Sequence, residues 1–194
     1  MRRTRTDAWT YVWVDMFSRK SAKIDIEQLL PYKSKFLMID RVVLYEPNRK
    51  IVTQKHITGA EWYITDHYPQ DPMMPGHITA EVMVQTCALL FRAIYEKRKD
   101  ATVYLTSSRT RFFSVVRPED RIITTAQPIR VTTGAAIFRA EARVRGELAA
   151  RGQFTLAFST SGDKDAEKNA ALHISEISKV RSSSPSTLAH CRPC

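Results

Sequence analysis

Residues 76–97 read GHITAEVMVQTCALLFRAIYEK and form the one long helical pattern in a chain of 194 residues. The apolar positions cover nearly the whole circumference of such a helix, and they are Val82, Met83, Val84, Cys87, Leu89, Leu90, Phe91 and Ile94. A helix that is apolar all round must be buried on every side. We therefore predict a central helix that the rest of the domain encloses.

The segments around this helix change to an alternating pattern with a period of two, which is typical of strands. Strands are predicted at residues 36–45 and 50–57 before the helix, and at 102–106, 109–115, 121–130, 135–145 and 149–158 after it. A short helix at residues 24–30 ends at Pro31. The pattern predicts the α+β class, with a curved antiparallel β-sheet wrapped around the long central helix.

Composition and charge favour one domain with a tail at each end. The chain is 43% hydrophobic, enough for one good core. We predict a basic extension at residues 1–23, the domain at 24–160 and a flexible tail at 161–194. The net charge of +10 suits an acidic protein partner or an anionic cofactor. No dense Arg/Lys tract with interleaved aromatic residues is present, so we expect no nucleic-acid partner.

The cysteines indicate a reducing compartment, because their number is odd and Cys87 lies in the core helix. We therefore expect a cytoplasmic protein. Cys191 and Cys194 form a lone CxxC in a Ser/Pro-rich tail, which is weak evidence for metal, and we predict no metal site. No apolar run approaches the roughly 20 residues of a membrane span, so none is predicted.

A candidate acid/base pair flanks the start of the central helix. His67 lies on a segment that is stiffened by prolines, and Glu81 follows fourteen residues later inside the helix. Gly76 lets a ligand approach the backbone, and the helix start offers N–H groups and a positive dipole end to a developing oxyanion. Considered alone, His67 also suits a loop histidine bonded to backbone, and Glu81 suits a helix carboxylate at a subunit contact.

Four blocks in a fixed order resemble a known family. They are LLP at 29–31 with FLMIDRV at 36–42, HYP at 67–69, MPG at 74–76 with Glu81 and Gln85 behind it, and RF at 111–112 before VVRPED at 115–120. Over residues 24–159 the chain resembles the hot-dog-fold 3-hydroxyacyl-acyl-carrier-protein dehydratases of FabZ type. On this resemblance His67 is the catalytic histidine, Glu81 the catalytic carboxylate and Gly76 the backbone donor. A glutamate at position 81 resembles the dehydratase-only branch, since the isomerising branch carries aspartate.

The resemblance implies removal of water from a 3-hydroxyacyl thioester to give a trans-2-enoyl thioester, in fatty-acid or specialised acyl or polyketide biosynthesis. The acyl group would be carried on the phosphopantetheine of acyl carrier protein, with no further cofactor. His67 would take the α-proton, the Gly76 N–H would stabilise the thioester oxygen, and Glu81 would protonate the departing hydroxyl. The resemblance also implies a homodimer with shared active sites. A hexamer built as a trimer of dimers is common in the family as well.

Further residues are expected to support the site. Candidates for support or substrate lining are Tyr68, Pro75, His77, Gln85 and Phe112, and weaker candidates for carrier-protein contact are Arg109, Arg111, Arg117 and Arg121. Gln85 lies one turn beyond Glu81, so it can orient that carboxylate or satisfy a buried contact.

Three positions depart from the family pattern, and two other functions stay open. Asp66 and Gln70 stand where glycines flank the HYP block, and His77 replaces an aliphatic residue after Gly76. These departures motivate a non-catalytic module that binds acyl groups or the carrier protein. The other alternative is a hot-dog acyl thioesterase, in which an acidic helix residue directs water at the thioester carbonyl, although the Pro69, Pro75 and Gly76 framework argues mildly against it.

Overall fold

The computed structural model describes residues 24–33, 35–98 and 101–158. The predicted N-terminal extension and C-terminal tail lie outside the described residues. The helices are α1 (Ile26–Leu29), α2 (Trp62–Thr65) and α3 (Gly76–Ile94), and a 3₁₀ turn (Glu96–Arg98) follows α3. The strands are β1 (Arg41–Glu46), β2 (Lys50–His56), β3 (Val103–Phe112), β4 (Arg121–Val131), β5 (Ala135–Val144) and β6 (Glu147–Phe158). None of the helices in these ranges has the length and hydropathy that a membrane span requires.

The strands form a six-stranded antiparallel sheet in the order β1-β2-β4-β5-β6-β3. Helix α3 packs against strands β2, β3, β4, β5 and β6. Its buried positions run from Ile78 to Phe91, and the ring of Phe91 lies 4.6 Å from that of Phe158 and 6.1 Å from that of Phe138. The predicted central helix within an antiparallel sheet is therefore confirmed.

Two details differ from the predicted elements. The segments predicted as two strands at 102–106 and 109–115 are one strand, β3, whose pairing with β6 runs from Val103 to Phe112 across an irregularity between Leu105 and Ser107. The first strand was predicted to begin at residue 36 but begins at Arg41. Met38 and Ile39 are buried, but they lie in the loop before the strand. Its run of apolar residues resembled a strand in the sequence, although these residues are buried without joining the sheet.

Candidate active site

The His67 loop spans residues 66–75, between α2 and α3. It begins where the Asp66 N–H donates to Trp62 O at 3.2 Å and ends at Pro75, the N-cap of α3. Within it, the Asp71 N–H donates to Tyr68 O at 3.1 Å. The Met74 N–H donates to Val116 O at 2.8 Å, which fixes the loop's second half against the body of the domain. Prolines and these bonds together restrain a segment whose residues 66–72 are exposed.

His67 is held by a backbone carbonyl. Its Nδ1 lies 3.2 Å from Met73 O, and its ring centroid lies 4.4 Å from that of Tyr68. Because a carbonyl oxygen only accepts, Nδ1 must carry the proton in this hydrogen bond, which leaves Nε2 as the acceptor of the neutral ring. The neighbouring Asp66 carboxylate accepts from the Thr65 hydroxyl at 3.0 Å. The loop therefore presents His67 with one nitrogen ready to take a proton.

Glu81 lies on the second turn of α3 and is half-buried. Burial raises the pKa of its carboxyl, although the hydrogen bond from Gln85 acts in the opposite direction. Gln85 Nε2 donates to Glu81 Oε1 at 2.9 Å and to Phe36 O at 2.8 Å, and Gln85 Oε1 accepts from the Met38 N–H at 2.8 Å. Gln85 thus contacts both the Glu81 carboxylate and the backbone of residues 36 and 38.

No side chain caps the start of α3, where the Ile78 N–H donates to Pro75 O at 3.0 Å. Phe112 lies directly over Gly76: a Cβ built at Gly76 would be 3.4 Å from the Phe112 ring. Such a Cβ would make an ordinary van der Waals contact with the ring. Pro75 is buried, whereas His77 and Tyr68 are exposed.

The chain brings together only part of the predicted site. It joins Glu81 to Gln85, His67 to Tyr68, and Gly76 to Phe112. Within the part of the chain that the structure describes, no hydrogen bond or ion pair joins His67 to Glu81. Residues 24–33, 35–98 and 101–158 also contain no group of three or more His, Cys, Asp or Glu side chains placed to hold a metal ion.

The four arginines predicted to contact a carrier protein have different surroundings. Arg109 and Arg111 are exposed on β3, and Arg121 is exposed at the start of β4. Arg117 is an exception, because its guanidinium pairs with the Asp71 carboxylate of the His67 loop. The sequence analysis missed this contact, since the two residues are 46 positions apart and both lie outside regular elements.

The chain matches the FabA-like domain over residues 30–153 and belongs to that family. It is 37% identical to the 3-hydroxyacyl-[acyl-carrier-protein] dehydratase FabZ of Polynucleobacter asymbioticus over 138 residues, which cover 71% of this chain and 92% of the relative. The FabZ of Halorhodospira halophila is also 37% identical, over 128 residues that cover 64% of this chain and 84% of the relative. The family predicted from the four sequence blocks is confirmed.

Solved structures agree on the fold. The dehydratase heterocomplex ApeI:P from Xenorhabdus doucetiae superposes with a TM-score of 0.62 at 13% identity, covering 72% of this chain and 93% of its own. A conserved protein from Pseudomonas aeruginosa gives a TM-score of 0.54 at 17% identity, covering 68% of this chain and 97% of its own. These are hot-dog folds, so the predicted fold class is confirmed.

Proposed function

We propose that this chain removes water from 3-hydroxyacyl thioesters of acyl carrier protein to give trans-2-enoyl thioesters in fatty-acid biosynthesis. The FabZ relatives carry the name of this activity. The proposal is carried by a base and an acid in the predicted site. The hydrogen bond to the Met73 carbonyl leaves His67 Nε2 as the base, and burial favours the protonated form of the Glu81 carboxyl. Elimination of water needs one group of each kind.

The proposed reaction has three steps. Nε2 of His67 takes a proton from C2 of the acyl chain, and the thioester oxygen gains negative charge. The Gly76 N–H, at the positive end of a 19-residue helix, stabilises that charge. Protonated Glu81 gives its proton to the C3 hydroxyl, the C3–O bond breaks, and water leaves as the C2–C3 double bond forms. Proton exchange with solvent then returns His67 and Glu81 to their starting states.

We further propose a homodimer in which each site takes His67 from one chain and Glu81 from the other. Strand β3 supports this arrangement, because it is an edge strand with Tyr104 52% exposed and Leu105 44% exposed. An edge of this kind is a template for pairing with a second chain. A trimer of such dimers remains our prediction for any larger assembly.

The carrier protein would contact exposed arginines on β3 and at the start of β4. Arg109, Arg111 and Arg121 are exposed, and an acidic partner is attracted to such charges before docking. The acyl group would arrive on phosphopantetheine, and no other cofactor enters the proposed reaction. The free buried thiol of Cys87 supports our prediction of a cytoplasmic location.

Turnover of a 3-hydroxyacyl carrier-protein thioester tests the function directly. We expect mass spectrometry to detect the loss of one water from the acyl chain. His67→Ala and Glu81→Gln should each lower the rate by roughly 10²–10⁴. His56→Ala is the matched control, since His56 faces Glu119 at 3.6 Å, outside the site, and should keep the activity.

Other products would identify the competing functions. Release of free acid and thiol would indicate a thioesterase. Binding of the acyl carrier protein without turnover, unchanged by His67→Ala, would indicate a non-catalytic module. Either result would overturn the dehydratase proposal.

A further inference from the structure

A two-point ion pair ties the His67 loop to the body of the domain. Arg117 Nη1 lies 2.5 Å from Asp71 Oδ1, and Arg117 Nη2 lies 3.4 Å from Asp71 Oδ2. Arg117 Nη1 also donates to Pro72 O at 3.4 Å. The hydrogen bond from Arg117 holds the pKa of the Asp71 carboxyl below its usual value. One guanidinium therefore contacts two successive loop residues.

The arginine end of this pair is fixed. The Arg117 N–H donates to Asp120 Oδ2 at 2.8 Å, and the Asp120 N–H donates back to Arg117 O at 3.1 Å. Asp120 is only 5% exposed, and its other oxygen accepts from Arg145 Nη2 at 2.8 Å. The Ile57 N–H donates to Asp120 O at 2.9 Å. Arg117 thus projects from a turn that is bonded on several sides.

The His67 loop makes few other hydrogen bonds to the rest of the domain. Pro69 and Pro72 have no N–H to donate. For the described residues 67–75, the bonds that reach the body outside α3 are those of Arg117 and the single backbone bond from Met74 to Val116. The bonds from Asp71 to Tyr68 and from His67 to Met73 stay within the loop. Without Arg117, the remaining ties would be the Met74 backbone bond and the burial of Met74 and Pro75, all at the α3 end of the loop.

These contacts meet at the carbonyl that holds the histidine. Met73 lies between Pro72, which Arg117 contacts, and Met74, which Val116 contacts. We propose that Arg117 is a positioning residue for the His67 base: it holds Asp71 and Pro72 so that Met73 O stays directed at His67 Nδ1. This inference rests on the proposed function, because it assigns Arg117 a part in the same reaction.

The expected effect is on rate more than on stability. Exposed ion pairs contribute little to global stability, and the Arg117 and Asp71 side chains are 49% and 57% exposed. Catalysis is more sensitive, because a misplacement of about 1 Å can lower a rate by about 10²-fold. Loss of the pair should therefore lower kcat roughly tenfold while the melting temperature changes little.

A double-mutant cycle tests this with a 3-hydroxyacyl-pantetheine thioester, which removes any contribution from carrier-protein docking. Arg117→Ala and Asp71→Ala should each lower kcat roughly tenfold with little change in KM, and the double variant should lose no more than either single variant. Arg151→Ala is the matched control: its side chain is 51% exposed and lies 2.8 Å from Glu141 on the sheet, so kcat should be unchanged. Unchanged kcat in the Arg117 and Asp71 variants, or fully additive losses, would overturn the proposal.

Hydrogen–deuterium exchange of the loop gives a readout that needs no substrate. Peptides covering residues 66–75 should exchange faster in Arg117→Ala and in Asp71→Asn, the mildest change, and at the wild-type rate in Arg151→Ala. Equal exchange in all variants would overturn the positioning role. If the wild-type chain eliminates no water while exchange responds as expected, the proposed function fails and the loop contact stands.

Discussion

At position 81, burial and a hydrogen bond act on one carboxyl group in opposite directions. Burial raises the pKa of Glu81, and the hydrogen bond from Gln85 lowers it, with burial the stronger effect. Gln85 therefore limits how far the acid is pushed toward its protonated form. In the sequence, the four-residue spacing indicated the Glu81–Gln85 contact, but the bonds from Gln85 to Phe36 and Met38 required the fold.

Gln85→Leu should raise the pKa of Glu81 further, because it removes the hydrogen bond that favours the ionised form. The proposed reaction needs protonated Glu81, so the alkaline fall of kcat should move to higher pH. The variant also leaves the buried Met38 N–H unpaired, which should cost about 1–3 kcal/mol in urea unfolding. A pH profile of kcat checks the sign, and a shift to lower pH would contradict this account of Gln85.

Glu81→Gln should change how stability depends on pH. The pKa of Glu81 in the folded state is raised above the usual 4.5. The protonated carboxyl therefore stabilises the fold below pH 4.5, and this stabilisation is lost as pH rises through the folded-state pKa. The variant lacks this loss and should gain stability relative to the wild type as pH rises.

Glu141→Gln is the control with the opposite sign. Burial raises the pKa of Glu141, but Arg143 and Arg151 outweigh it and lower the pKa overall. That carboxylate stabilises the fold above its unfolded pKa, so this variant should lose relative stability as pH rises. Urea unfolding at several pH values compares the two, and parallel curves for Glu81→Gln and the wild type would contradict the buried-acid interpretation.

At the scale of elements, periodicity predicted most of the fold. Helix α3 was predictable because its apolar residues cover nearly its whole circumference. Strands β4, β5 and β6 were predictable because buried and more exposed residues alternate along them. Strand β3 was predicted as two pieces, since Ser107 and Ser108 interrupt the apolar pattern while the backbone pairing with β6 continues. Edge pairing depends on a neighbouring strand, which local sequence does not encode.

Gly152 in strand β6 leaves space for a buried ring. A Cβ at this position would lie 2.5 Å from Cζ of Phe154 and 3.0 Å from the Thr110 hydroxyl, and Phe154 is fully buried. Gly152→Ala should therefore destabilise the domain by about 1–3 kcal/mol through overpacking. Gly134→Ala is the control, because its nearest atom would be Arg98 Nη1 at 3.6 Å, an ordinary contact. Equal urea midpoints for the two variants would contradict this packing argument.

At the scale of the whole molecule, the sequence predicts site residues but not how they come together. The order of motifs predicts His67, Gly76 and Glu81, but in the described part of one chain no hydrogen bond or ion pair joins His67 to Glu81. Strand β3 leaves a sheet edge with exposed Tyr104 and Leu105, which fits the proposed second subunit. Symmetric pairing at one edge would build two equivalent sites at once.

Mixing two inactive variants tests whether the sites are shared. In a His67→Ala and Glu81→Gln heterodimer, one site would carry both substitutions and the other would be intact, so refolding equal amounts together should restore about a quarter of the wild-type rate. Sites built within one chain would all remain damaged, and no activity would return. Adding Leu105→Lys to both variants should abolish the restored activity and halve the mass in sedimentation, because a charge is placed on the proposed pairing edge. Activity that returns without a dimer would contradict the shared site.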